Sequence, residues 1–230
     1  MIEQLYKKKT HLARLTTALI IFVGVATTTH AAADKPDVVK QSTQTTTTTD
    51  AKSSAATQTF LGKDVILGQE DAPITLIEYA STTCGHCADF HNDTLPKIKE
   101  KYIDSGKAKL IFRHFPLNSL DLAASMISRC TTEERYYPLL GLYFKRQSTW
   151  MNATDPSAEV MKLARLAGIG KDTFDQCLAN KDLQTYLLQV RQDGQKKYNV
   201  EATPTLIING ETHKGNMSFE ALDEILSKLE

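Results

Sequence analysis

Two cysteines three residues apart, in Cys84-Gly85-His86-Cys87, constrain this chain more than any other feature of its sequence. They follow an apolar, β-branched run, Ile74-Thr75-Leu76-Ile77-Glu78-Tyr79, of the kind that fills an interior strand. After them apolar groups recur at Cys87, Phe90, Leu95, Ile98 and Tyr102, close to helical spacing. The dithiol therefore belongs at a strand-to-helix junction, on the first helical turn, with Ser81, Thr82 and Thr83 supplying N-cap chemistry. There the positive end of the helix dipole and unsatisfied N–H groups favour an anion at Cys84, and an imidazolium at His86 would add to the effect. Thiols so placed fall from a pKa of ~8.5 to between ~3.5 and ~7.5. Cys84 is the expected exposed nucleophile and Cys87 the more buried resolving thiol, near enough to close a redox disulfide.

Other chemistries of a Cys-x-x-Cys pair fit less well. A closed zinc site needs four ligands. His91 offers a third, but no second Cys-x-x-Cys and no paired-His motif follows, so neither a metal nor a cofactor is expected. A purely structural bridge in so small a ring would stabilise little beside one that closes a long loop.

The N-terminus bears on the redox setting. Lys7, Lys8, Lys9 and Arg14 precede an uncharged stretch, Leu15 to Ala26, and small residues then run to Ala31-Ala32-Ala33. A basic region, an apolar region of about 12 residues and an Ala-x-Ala site make a secretory signal peptide over residues 1–33. The apolar run falls short of the ~20 residues that span a bilayer, and an uncleaved anchor is the alternative. Residues 34–59 are Thr, Ser, Gln, Ala and Lys with almost no large apolar side chain, and read as a disordered linker. Export places all four cysteines, at 84, 87, 130 and 177, in an oxidising compartment where disulfides form and exchange. With 27 basic and 27 acidic residues the formal net charge is zero, which gives no argument for a nucleic-acid partner.

The folded domain is expected over residues 60–230. Val65 to Gly68 reads as a short strand, and Lys109 to Phe115 as a longer one ended by Pro116. Strand, dithiol helix and strand form a βαβ unit, with Pro96 expected to kink the helix. From Ser119 to about Tyr198 the period is helical, and Leu122, Met126, Ile127 and Cys130 share one face. Asp155 caps a helix that has Pro156 at its first position and is stopped by Gly168, while Asp172 and Asp182 are further candidate caps. Strand character resumes at Thr205 to Ile208, with a turn at Asn209-Gly210. A last amphipathic helix carries Phe219, Leu222, Ile225 and Leu229. An α/β unit is thus split by a helical insertion at about 118–198.

This order of elements, with Thr203-Pro204 ahead of a strand, resembles the DsbA-like branch of the thioredoxin superfamily over about residues 60–230. The resemblance implies an α/β thioredoxin fold with an inserted helical subdomain. It places Glu78, six residues before Cys84, where relatives carry a buried acid, which would accept the proton of Cys87 during exchange. It gives Thr203-Pro204 the position of a cis-proline facing the dithiol, which would expose the Thr203 backbone for strand-like pairing with a bound peptide. Gly215 and the following helix resemble the family's last element.

The function implied is an exported thiol-disulfide oxidoreductase that introduces disulfide bonds into secreted or periplasmic proteins. Its partners would be reduced or misfolded polypeptides and a membrane-bound protein that re-oxidises it. Gly-His between the cysteines and Thr before the proline are also similar to disulfide isomerases, so an isomerase or reductase is the alternative. A non-catalytic periplasmic chaperone is a third reading, opposed by the intact Cys84/Cys87 pair. The Thr-rich linker has no heptad pattern, which favours a monomer and, with it, the oxidase. Cys130 and Cys177 allow two buried thiols, a second redox relay or a structural bridge; some relatives have cysteines at similar places, and an exported location favours the bridge.

Overall fold

The computed structural model describes residues 63–230, so the signal peptide and linker read from the sequence lie outside the described residues. Five strands form one mixed sheet: β1 (Ile66–Leu67), β2 (Ile74–Ala80), β3 (Ala108–His114), β4 (Thr205–Ile208) and β5 (Glu211–Lys214). Their order is β1-β3-β2-β4-β5; β2 and β3 run parallel and every other pair is antiparallel. β2 is the central strand. The period-2 rule divides its side chains between the faces, so Glu78 shares one face with Ile74, Leu76 and Ala80, and Tyr79 lies on the other with Ile77.

The first face is covered by the helical crossover from β2 to β3. It begins as α1 (Gly85–Asp89), passes through a wide turn at Phe90–Thr94, continues as α2 (Leu95–Ile98) and ends in a second wide turn at Lys99–Ile103. The irregularity expected at Pro96 takes this form: proline has no N–H to donate, and a π-type turn ahead of it accommodates the missing bond. Phe90, Ile98 and Tyr102 from this crossover pack with Leu76, Leu110, Leu206 and, from the last helix α9 (Phe219–Leu226), Leu222.

The insertion comprises α3 (Ser119–Ser128), α4 (Glu133–Lys145), α5 (Gln147–Met151), α6 (Pro156–Leu166), α7 (Lys171–Ala179) and α8 (Lys181–Tyr198). It has its own core, in which Leu122, Ile127, Tyr143, Trp150 and Leu163 meet, and the Trp150 indole N–H donates to the Tyr143 carbonyl at 2.8 Å. The Cys130–Cys177 disulfide lies in that core, joining the end of α3 to α7 with 6.2 Å between Cα atoms. α8 returns to the sheet and packs on its other face, where a Cβ on Gly194 would meet Tyr79 Cε1 at 2.5 Å. Only glycine allows that approach.

In the insertion, helix ends follow local chemistry, with two corrections. Asp155 caps α6 as expected, accepting from the Ala158 N–H at 3.0 Å, and Gly168 follows the helix at φ +79°. Asp172 and Asp182, expected as caps, instead lie within first turns, where a carboxylate favours the helix dipole. The caps are Gly170 and Asn180, and Asn180 Oδ1 accepts from the Leu183 N–H at 2.9 Å. The Asn209-Gly210 turn, both residues at positive φ, closes a two-residue hairpin and pairs β4 with β5. β5 escaped the sequence reading because Glu211-Thr212-His213-Lys214 is polar and lies on the sheet edge.

Candidate active site

The end of β2 delivers the chain to the dithiol. Cys84 adopts an extended conformation, φ −87° and ψ 124°, and is itself the N-cap of α1. The expected capping by Ser81, Thr82 or Thr83 does not occur. Ser81 and Thr83 hydroxyls lie 3.0 Å from each other, Ser81 Oγ accepts from the Thr83 N–H, and Thr82 is held elsewhere. Cys84 is half-buried and Cys87 fully buried, and neither is disulfide-bonded.

The two thiols are driven apart in acidity. The Cys84 pKa is lowered to about 5, first by a hydrogen bond from the Cys87 thiol, with smaller help from the Thr203 side chain and the N–H groups of Cys87 and His86; partial burial opposes it. Burial pushes the Cys87 thiol far up, and the bond to Cys84 and the negative charge of Glu78 add to the rise. The contribution expected from an imidazolium at His86 is not part of this set. That ring is 75% exposed with its Nδ1 3.4 Å from the Asp89 carboxylate, and the His86 backbone N–H is among the groups that lower Cys84.

Opposite the dithiol, the Thr203–Pro204 peptide bond is cis and Pro204 is buried. The Cys84 thiol donates to the Thr203 carbonyl at 3.2 Å across 119 residues of sequence. That carbonyl stands beside the Cys84 thiol, on the side of the dithiol away from Glu78.

Behind the dithiol, Glu78 has no exposed surface, and its Oε2 lies 2.8 Å from His91 Nε2. Its second oxygen is buried without a partner. His91 is the residue that sequence reasoning missed here, having weighed it only as a zinc ligand. It lies one helical turn beyond Cys87, stacks on Phe144 at 4.0 Å and meets the ring edges of Phe112 and Phe90. A carboxylate taken from water without a partner costs several kcal/mol, and His91 is the group that offsets this. The signal was present in the spacing: positions 87 and 91 share a helix face, and that face meets Glu78. Asp121 and Gln147, both from the insertion, also reach the site, through the loop before Cys84. Among the described residues no group of three or more His, Cys, Asp or Glu is placed to hold a metal ion.

A dithiol at a helix start, set against a cis-proline on a five-stranded sheet and roofed by six inserted helices, defines a thioredoxin-fold dithiol protein of the DsbA-like type. A family model described as Thioredoxin matches residues 61–228, and the chain belongs to that family. A solved structure similar to this chain is alpha-DsbA1 of Wolbachia pipientis, 35% identical, with a TM-score of 0.68 over 74% of this chain and 92% of that one. Among curated proteins, a putative protein-disulfide oxidoreductase of Rickettsia bellii is 28% identical over 169 residues, covering 72% of this chain and 65% of the relative. Disulfide bond formation protein D of Bacillus subtilis is 25% identical over 170 residues, covering 71% and 75%. The chain thus spans somewhat less than two thirds of the rickettsial relatives it matches, 65% and 60% in two of them.

Proposed function

We propose that this protein is an exported thiol-disulfide oxidoreductase that introduces disulfide bonds into secreted proteins. The observation that carries the reading is the split in acidity, with Cys84 lowered to about 5 and Cys87 pushed far up. In the oxidised enzyme, Cys84 and Cys87 share a disulfide. A substrate thiolate attacks Cys84 Sγ, the Cys84–Cys87 bond breaks, and Cys87 leaves and is protonated from the Glu78 carboxyl. The second substrate thiolate then attacks the substrate sulfur of the mixed disulfide and expels Cys84 as a thiolate. The substrate is oxidised by two electrons and the dithiol is reduced. A thiol of low pKa leaves faster, so a depressed Cys84 favours this direction. On re-oxidation Glu78 takes the proton back from Cys87, with His91 as its partner.

Thr203 and Pro204 would receive the substrate as an added strand beside Cys84. The partners we infer are reduced secreted polypeptides and a membrane-bound re-oxidising protein, and the location is periplasmic. The signal-like segment 1–33 and relatives named as disulfide oxidoreductases and disulfide bond formation proteins support that setting. One observation favours the isomerase as a second reading, the Gly-His pair between the cysteines with Thr203 before the proline.

The equilibrium of the reduced protein with glutathione, read with refolding of a reduced and of a scrambled substrate, tests the choice. A strongly oxidising potential with little unscrambling supports the oxidase. A potential near the ~−270 mV of reducing thioredoxins, or efficient unscrambling, overturns it.

A further inference from the structure

Between β2 and α1 the chain runs Ser81-Thr82-Thr83-Cys84, and most of its polar groups are held by side chains of the insertion. Asp121 of α3 accepts from the Thr82 N–H at 2.8 Å and the Thr82 hydroxyl at 2.6 Å through Oδ1, and from the Leu117 N–H at 2.9 Å through Oδ2. Asn118, the cap of α3, donates to the Thr83 hydroxyl at 3.1 Å. Gln147, the first residue of α5, completes the set: its Nε2 lies 2.9 Å from the Thr82 carbonyl and 2.9 Å from the Cys84 carbonyl. An amide nitrogen has two N–H donors, so this one spans the carbonyls on either side of Thr83 and uses both. Both acceptors are carbonyls, which fixes the orientation of the amide, because its oxygen could not face them.

We propose that Gln147 is a positioning residue for the nucleophile, pinning the Thr82 and Cys84 carbonyls so that Cys84 Sγ stays aimed at Thr203 and at the first N–H groups of α1. The Cys84 carbonyl opens the hydrogen-bond ladder of α1, accepting from the Ala88 N–H at 3.1 Å. A donor on that same carbonyl holds the Cys84 peptide plane, and with it the extended ψ of 124° from which the N-cap geometry follows. Without it the plane is free to turn, the 3.2 Å contact of Sγ with the Thr203 carbonyl is no longer held, and the support that the Cys87 and His86 N–H groups lend the thiolate weakens. The insertion then does more than roof the sheet. It reaches 63 residues back along the chain to set the reactivity of the thiol.

The inference rests on Cys84 being the reactive thiol, as proposed above. Gln147→Met keeps the length of the side chain and removes both donors. Thiolate absorbance of the reduced protein, read against pH, should show the Cys84 pKa raised by about one unit, a tenfold loss of thiolate preference. The equilibrium with glutathione should shift about tenfold towards the oxidised protein. Gln147→Glu, which turns a carboxylate onto two carbonyls, should raise that pKa further. A wild-type pKa near ~8.5 would sink the functional reading itself. A low wild-type value that Gln147→Met leaves within about 0.3 unit, with the glutathione equilibrium within about twofold, would overturn only the role of Gln147, whatever happens to the melting temperature. Should the Met variant fail to fold, Gln147→Ala is read by the same two measurements.

Discussion

The molecule holds two pairs of cysteines, and they differ in almost every respect. Cys84 and Cys87 are three residues apart, unbonded, and surrounded by groups that act on thiols: a carbonyl at Thr203, N–H groups at a helix start, and Glu78 with His91 behind. Cys130 and Cys177 are 47 residues apart, bonded, and packed among Leu122, Ile127, Leu163 and Phe174. A thiolate freed in that core would lie among apolar side chains, where burial penalises the charge. The same residue type therefore stands in two states in two surroundings. Polar groups at a helix terminus surround the free dithiol; an apolar core surrounds the bond that closes a long loop.

The hardest test of this contrast is to remove each pair in turn by mutation. Cys84→Ser should lower the rate of disulfide transfer to a reduced substrate by at least ~10³-fold, because the attacked sulfur is gone. Cys130→Ala/Cys177→Ala should leave transfer within a few-fold of wild type and the Cys84 thiolate titrating at about 5. Loss of transfer in the double variant, with the fold intact by circular dichroism, would show that the second pair takes part in the relay. What that variant should lose is stability. A bond closing 47 residues stabilises by about 4 kcal/mol in the chain-entropy model, so the unfolding free energy should fall by about 2–4 kcal/mol in denaturant titration. An unchanged value would mean that packing around the bond, and not the cross-link, holds α3 to α7.

How far the contrast could be read from the sequence depends on the range of each contact. The βαβ unit and the dithiol on the first helical turn were legible because each follows from local period, whereas the buried acid at Glu78 came from the family resemblance. The helical insertion at about 118–198 also agrees with α3–α8, since apolar spacing and caps are local signals. What could not be read were the partners supplied from elsewhere in the chain. Thr82 looked like a cap because threonine caps helices; its hydroxyl goes to Asp121, 39 residues on, which no local pattern reveals. Gln147 likewise sits in an unremarkable polar stretch, Arg146-Gln147-Ser148, and acquires its role only when α5 is brought against the loop. His91 is the intermediate case, visible as a helix-face neighbour of Cys87 but not as the counterpart of a strand residue.

A smaller effect sharpens the comparison on the side of the dithiol. Glu78→Gln keeps the shape of the side chain and removes its capacity to exchange a proton. If Glu78 serves Cys87, the variant should slow re-oxidation of the dithiol by ~10²-fold in stopped-flow measurements, while the attack of Cys84 on an added disulfide changes far less. Equal slowing of both steps would assign Glu78 to holding the local structure. The buried pair with His91 makes stability a necessary control, and a glutamine can still meet the His91 ring.

The smallest effect belongs beside the second pair. Asn180 stands three residues after Cys177 at the corner between α7 and α8, and its side chain accepts from the Leu183 N–H at 2.9 Å. Asn180→Ala leaves one donor at the start of an 18-residue helix without a side-chain partner, and should cost about 1 kcal/mol in unfolding free energy. The bond at Cys177 constrains the unfolded chain, whereas the cap acts on the folded helix end, so the two losses should add in a variant lacking both. A combined loss well above the sum would mean that the bond and the cap hold the same corner. In either case the Cys84 thiolate should still titrate at about 5, since the Asn180 side chain serves the Leu183 N–H and Cys84 is lowered by Cys87, Thr203 and His86.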